Sequence, residues 1–130
     1  MATTTPFDPD TVPSLGSPTF TQGLLVEGTK DWFILSGQVG LKPDGSIAGD
    51  AAAQIEQCYT NIGNMLDAAG FGLDDLVFLR LYLVDPADIE ALRAARNRFL
   101  GARKVPSTLL VISALARPEF KVEIEAVAAR

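Results

Sequence analysis

The chemistry-bearing residues of this chain converge on its last strand-like segment, Lys121-Val122-Glu123-Ile124-Glu125-Ala126-Val127-Ala128. Two carboxylates stand inside an otherwise apolar run. Side chains alternate along a strand, so Glu123 and Glu125 share one face and Val122, Ile124 and Ala126 the other. A carboxylate in such surroundings loses hydration, and it either finds a partner or holds its proton to higher pH. The face is therefore either a solvated outer surface or the lining of a site that moves protons. Histidine is absent from the chain, which removes histidine triads, histidine zinc sites and histidine acid–base chemistry. The single cysteine, Cys58, allows no internal disulfide and falls on the apolar stripe of an expected helix, where a small core residue is the plain reading.

Several elements must position these carboxylates. Residues 1–18, rich in Thr, Pro, Ser and Asp, read as a flexible or strap-like arm, followed by one domain over residues 19–130. Gln22 to Val26 and Trp32 to Val39 read as strands around Glu27-Gly28-Thr29-Lys30, and Pro43-Asp44-Gly45-Ser46 as a turn. Asp50 is placed to cap a helix whose stripe is Ile55, Cys58, Tyr59, Ile62, Met65, Leu66 and Ala69, with Gly70 as its stop. A near-continuous apolar strand, 76–84, ends at Asp85-Pro86. A second helix over about 87–100 turns Ile89, Leu92, Ala95 and Phe99 inward and ends at Gly101. Strands at 107–113 and 121–128 close the chain. This order predicts an α+β fold, a mixed β-sheet with two helices on one face. Strands 76–84 and 107–113 are apolar on both sides, so the uncovered face calls for further copies of the chain in a closed homo-oligomer. Burying that face would contribute on the order of 10 kcal/mol before association costs.

Composition narrows the partners. Of 130 residues, 48% are hydrophobic, with a mean hydropathy of +0.21, yet no apolar run reaches the roughly 18 residues of a membrane span. The surplus fits a subunit interface. A net charge of −5 disfavours nucleic-acid binding through phosphate neutralisation. The N-terminus lacks a signal-peptide pattern, and a cytoplasmic protein is expected.

Four segments carry a resemblance: Phe33-Ile34-Leu35-Ser36-Gly37-Gln38, Leu66-Asp67-Ala68-Ala69-Gly70, Leu81-Tyr82-Leu83-Val84-Asp85 and Val122-Glu123-Ile124-Glu125-Ala126-Val127-Ala128. Together they resemble the RidA/YjgF family of enamine/imine deaminases, from about Phe20 to the C-terminus. The resemblance implies a chorismate-mutase-like homotrimer with small-molecule sites between subunits, no cofactor and no metal. It implies hydrolysis of a reactive imine to a carbonyl product and ammonia. Glu123 then stands where the family positions water. Gly37 stands where the backbone approaches the ligand, and Ser107 and Thr108 stand beside the substrate carboxylate.

The pattern breaks at three positions. Family deaminases carry Arg immediately before this Ser-Thr pair to grip the substrate carboxylate, and Pro106 has no donor at all. Losing a charge-assisted pair of roughly 1.5–3 kcal/mol weakens handling of a small 2-imino acid. Phe20 replaces an aromatic hydroxyl, and Arg93 replaces a helix Asn; both remain candidate substrate-binding residues. Arg93, Arg103 and Lys104 are candidates for a displaced cation, against the plainer reading of a solvated basic helix end. Arg80 is expected to pair with a neighbouring carboxylate, and Trp32 to wall a pocket or serve core or interface. The expected function is a deaminase or hydrolase of altered specificity acting on an enamine, imine or related unsaturated amino acid. A non-catalytic small-molecule-binding trimer is the alternative, and ribonuclease activity ranks last.

Overall fold

The computed structural model describes residues 2–13 and 16–130; Met1, Ser14 and Leu15 of the arm lie outside the described residues. The helices are α1 (Ala51–Ala69) and α2 (Ile89–Leu100). Asp50 caps α1 as its sequence position predicts, its Oδ1 accepting from the Ala53 amide at 2.9 Å. Gly70 ends it at φ 77°, a left-handed conformation that closes the last turn through Asp67 O and Leu66 O. Pro86 opens a short 3-10 turn, Pro86–Asp88, that leads into α2.

The strands are β1 (Thr3–Phe7), β2 (Gly23–Glu27), β3 (Trp32–Ile34), β4 (Gln38–Val39), β5 (Leu76–Leu83), β6 (Ser107–Val111) and β7 (Val122–Ala129). A mixed five-stranded sheet runs β3–β7–β5–β6, with β4 also on β7; β5 and β6 are parallel and the other pairs antiparallel. The fold is the expected α+β arrangement. The long strand expected over 32–39 is divided, because only its two ends reach the β7 ladder in strand geometry; between them Leu35 still donates to Ala126 O at 3.1 Å.

Part of the arm is in strand geometry. Its Thr3–Phe7 run, partly β-branched, pairs antiparallel with β2 as a separate two-stranded ribbon. Asp8 fixes the crossing: its carboxylate accepts from Thr21 Oγ1 and from the Gln22 amide, both at 2.8 Å.

Alternation assigns the two sheet faces. Leu79, Leu81 and Leu83 of β5 pack with Val122, Ile124 and Ala126 of β7 under α1 and α2, all essentially without exposed surface. The outer face carries Arg80 opposite Glu125, Tyr82 opposite Glu123, Ile34 opposite Val127, and Thr108 beside Arg80. It also keeps large apolar side chains in solvent: Ile34 is 73% exposed, Trp32 55% and Leu110 44%. Those values exclude the core role considered for Trp32.

Candidate functional site

The two carboxylates of β7 share a face and differ in company. Tyr82 donates its hydroxyl to Glu125 Oε1 at 2.7 Å, and Arg80 Nη1 lies 3.2 Å from Oε2. This is the partner anticipated for Arg80. The Glu125 charge is compensated where it stands, and its hydrogen bond lifts the Tyr82 phenol above its ordinary value.

The Glu123 carboxylate has neither a hydrogen bond nor an ion pair among the described residues. Burial first, then repulsion from Glu125, raises its carboxyl above its ordinary value. Its side chain lies directly over Gly37. A Cβ built there would come within 2.6 Å of Glu123 Cδ and 2.8 Å of Cγ, closer than atoms can pack. Glycine is needed for that approach rather than for an unusual backbone angle, since Gly37 is not among the positive-φ glycines. Cys58 backs the pair from α1, buried, with its thiol donating to Gln38 O at 3.3 Å. Burial and the nearby Glu123 charge push that thiol up to about 12, so it stays protonated, in keeping with its reading as a core residue.

Phe20, Arg93 and Ser107 gather elsewhere. They line a cavity of about 440 Å³ walled by Pro18 at the end of the arm and Phe20 just after it, by α2, and by Leu81, Ser107 and Leu109 of the sheet. Ser107 and Leu109 pair with Leu79 and Leu81, so the cavity opens on the helix side. Glu123, Gly37 and Thr108 belong to the other side. Within one chain the six site residues thus form two groups separated by the sheet. Pro106 stands at the junction, its carbonyl accepting from the Leu79 amide at 3.1 Å.

Sequence reasoning missed Arg96 and Thr19. Arg96 is buried, and its Nη2 donates to Thr19 O at 2.9 Å and Val105 O at 3.1 Å, tying the first residues after the arm to the approach to β6. Thr19 Oγ1 adds a 2.7 Å bond to Asn97 Oδ1. The Phe20 ring lies 5.8 Å from the Arg96 guanidinium carbon, a cation–π contact for which phenylalanine suffices without a hydroxyl. A signal was present, for Arg96 follows Ala95 inside the stripe Leu92–Ala95–Phe99 that α2 turns inward.

Fold and site define the class: a small α+β domain with a free carboxylate seated on a glycine of its outer sheet face, and a cation-lined cavity at the sheet edge. A sequence profile described as Endoribonuclease L-PSP, the RidA/YjgF family, matches residues 18–130, and the chain belongs to that family. It is 31% identical over 100 residues to a 2-iminobutanoate/2-iminopropanoate deaminase of Escherichia coli K12, covering 75% of this chain and 78% of that enzyme. A RutC family protein of Pyrococcus horikoshii is 28% identical over 100 residues, covering 75% and 79%. The crystal structure of the Rid family protein YyfB from Yersinia pestis superimposes with a TM-score of 0.88 at 29% identity, covering 98% of both chains.

Proposed function

We propose that this protein is an imine deaminase working in a homotrimer, with each site shared between copies. The observation that carries the reading is the Glu123 carboxylate. It has no partner among the described residues, its pKa is raised, and it sits on a glycine that leaves it room. Such a group accepts a proton from water while the oxygen adds to the imine carbon. Glu123 returns that proton to the nitrogen, which gives a neutral carbinolamine; it then takes the carbinolamine hydroxyl proton and delivers it to the amine as the C–N bond breaks, so that ammonia leaves and the C–O bond becomes the carbonyl. Gly37 and Thr108 offer main-chain and hydroxyl groups beside that carbon, while Phe20, Arg93 and Ser107 hold the rest of the substrate.

A carboxylate on the outer face cannot reach through its own sheet to the cavity. A neighbouring copy docked along β6, the edge strand, would bring its own Glu123 to the cavity of the first. The name of a relative 31% identical over 100 residues supports this chemistry class.

Ammonia release from imines generated in place by an amino acid oxidase, compared between wild type and Glu123→Ala, tests the reading. A loss of at least about 100-fold in kcat is expected for removal of a general base, and equal rates would remove the proposal. Pro106 favours a second reading, a non-catalytic binding trimer; tight binding without turnover across an imine panel would select it. RNA cleavage, which the profile's description names, is disfavoured by the net charge of −5.

A further inference from the structure

Three cations flank the segment where Pro106 stands in place of a guanidinium, and the structure separates them. Arg103 is committed: its Nε lies 2.6 Å from Asp74 Oδ1 and its Nη1 donates to Leu100 O at 3.2 Å. Lys104 lies in the field of Asp8 on the arm and does not line the cavity. Arg93 does line it, on the helical face it shares with Arg96 and Asn97 at spacings of three and four.

The charge balance of the cavity points the same way. Arg96 brings a buried guanidinium that pairs with no carboxylate among the described residues, and its Nε is buried without a hydrogen-bond partner. Arg93 is close enough to depress the Arg96 pKa further, after burial. Among the described residues, the cavity's single acidic group is Glu90, an exposed side chain 3.3 Å from one Arg93 nitrogen. A guanidinium has five N–H donors, so this contact leaves most of its fork for another anion. Ser107 adds a hydroxyl on the sheet side.

The remaining wall is apolar: Phe20, Leu81, Leu92 and Leu109. At about 440 Å³ the space exceeds what a three- or four-carbon acid fills and lies in the range of pockets for considerably larger ligands. We propose that Arg93 grips the substrate carboxylate from α2, in place of the guanidinium absent at Pro106, and thereby selects imino acids with a bulky apolar side chain, aromatic or branched. The inference rests on the deaminase reading above and specifies its substrate class.

Two readouts separate failure of this inference from failure of that reading. In the first, imines are generated by oxidases from L-alanine, from L-phenylalanine and from phenethylamine, which lacks the carboxylate. Wild type should prefer the phenylalanine imine to the alanine imine. Arg93→Ala should raise its KM about 10- to 100-fold with kcat nearly unchanged, and Arg93→Lys should recover part of the loss. On the phenethylamine imine, wild type and Arg93→Ala should match. An unchanged KM, an equal loss on the carboxylate-free imine, or a preference for the alanine imine overturns the proposal.

The second readout needs no turnover: calorimetric titration of phenylpyruvate, the hydrolysis product, into wild type, Arg93→Ala and Ala94→Phe. Ala94 is exposed and lines the cavity, so the larger ring blocks it without entering the core. Binding at least about tenfold weaker in both variants supports the grip even if no imine is hydrolysed. Equal affinity in Arg93→Ala, or no binding by wild type, overturns it.

Discussion

Two glutamates two residues apart, on one strand and one face, have opposite electrostatic fates, and the difference lies in what stands across from each. Arg80 and Tyr82 both reach Glu125; Glu123 has Gly37 beneath it and the Glu125 charge beside it. A carboxyl with a raised folded-state pKa costs stability when ionised. That cost is full above the folded pKa and vanishes as pH falls through it toward the unfolded value. Glu123→Gln should therefore melt higher than wild type at pH 8, with the two curves converging near pH ~4, where an ordinary glutamate is protonated. Thermal melts across that range check the sign; a gap independent of pH would mean that ionisation is not its source. Gly37→Ala meets the Glu123 side chain head on. It should displace the carboxylate, costing about 1–3 kcal/mol as an overpacked contact and most of the activity attributed to Glu123. Denaturant unfolding together with the ammonia assay reads both effects.

At the scale of elements, the site depends on how β7 is held. It lies inside the sheet between β5 on one side and β3 with β4 on the other, so the Glu123 backbone is fixed by ladders along both edges. Helix α1 packs on β7 and brings Cys58 behind the carboxylate. Its start is set by Asp50, whose side chain satisfies an amide that the helix itself cannot. Asp50→Ala should cost ~1 kcal/mol and lower the Tm by about 4 °C at this chain length, with no direct effect on the cavity lining. Calorimetry measures this, and a loss well above that range would imply an Asp50 role beyond the cap. The segment just after the arm is the other positioning element. Arg96 ties it to the approach to β6 through Thr19 O and Val105 O, which makes Arg96 a positioning residue for the cavity wall that Phe20 provides.

For the whole molecule, the outer sheet face is the uncovered apolar surface of a single chain. Ile34, Trp32 and Leu110 stand in water there, around the Glu123–Glu125 pair. The proposed trimer covers them and at the same time assembles each site from two copies. Ile34→Glu puts a charge at the most exposed of these apolar positions. It should shift the sedimentation mass from trimer toward monomer and take imine hydrolysis with it. A fully active monomer would sink the shared-site reading.

The line between what the chain spells out and what folding adds is a physical one. Cap, stop and turn signals act over a few residues, so Asp50, Gly70 and Asp85-Pro86 marked their elements in the sequence itself. Period-two alternation put Glu123 and Glu125 on one face, and the quoted segments were enough to find the family. The register of β5 against β7 is a long-range choice with no local code. Only the folded sheet gives Arg80 and Tyr82 to Glu125 and leaves Glu123 alone. The pairing of β1 with β2 was likewise hidden, because a short threonine run becomes a strand only when a partner edge is present. Sequence named six site residues; tertiary structure divided them between two sides of a sheet. Which side a residue faces depends on strand order and register, and those are set by packing between distant segments.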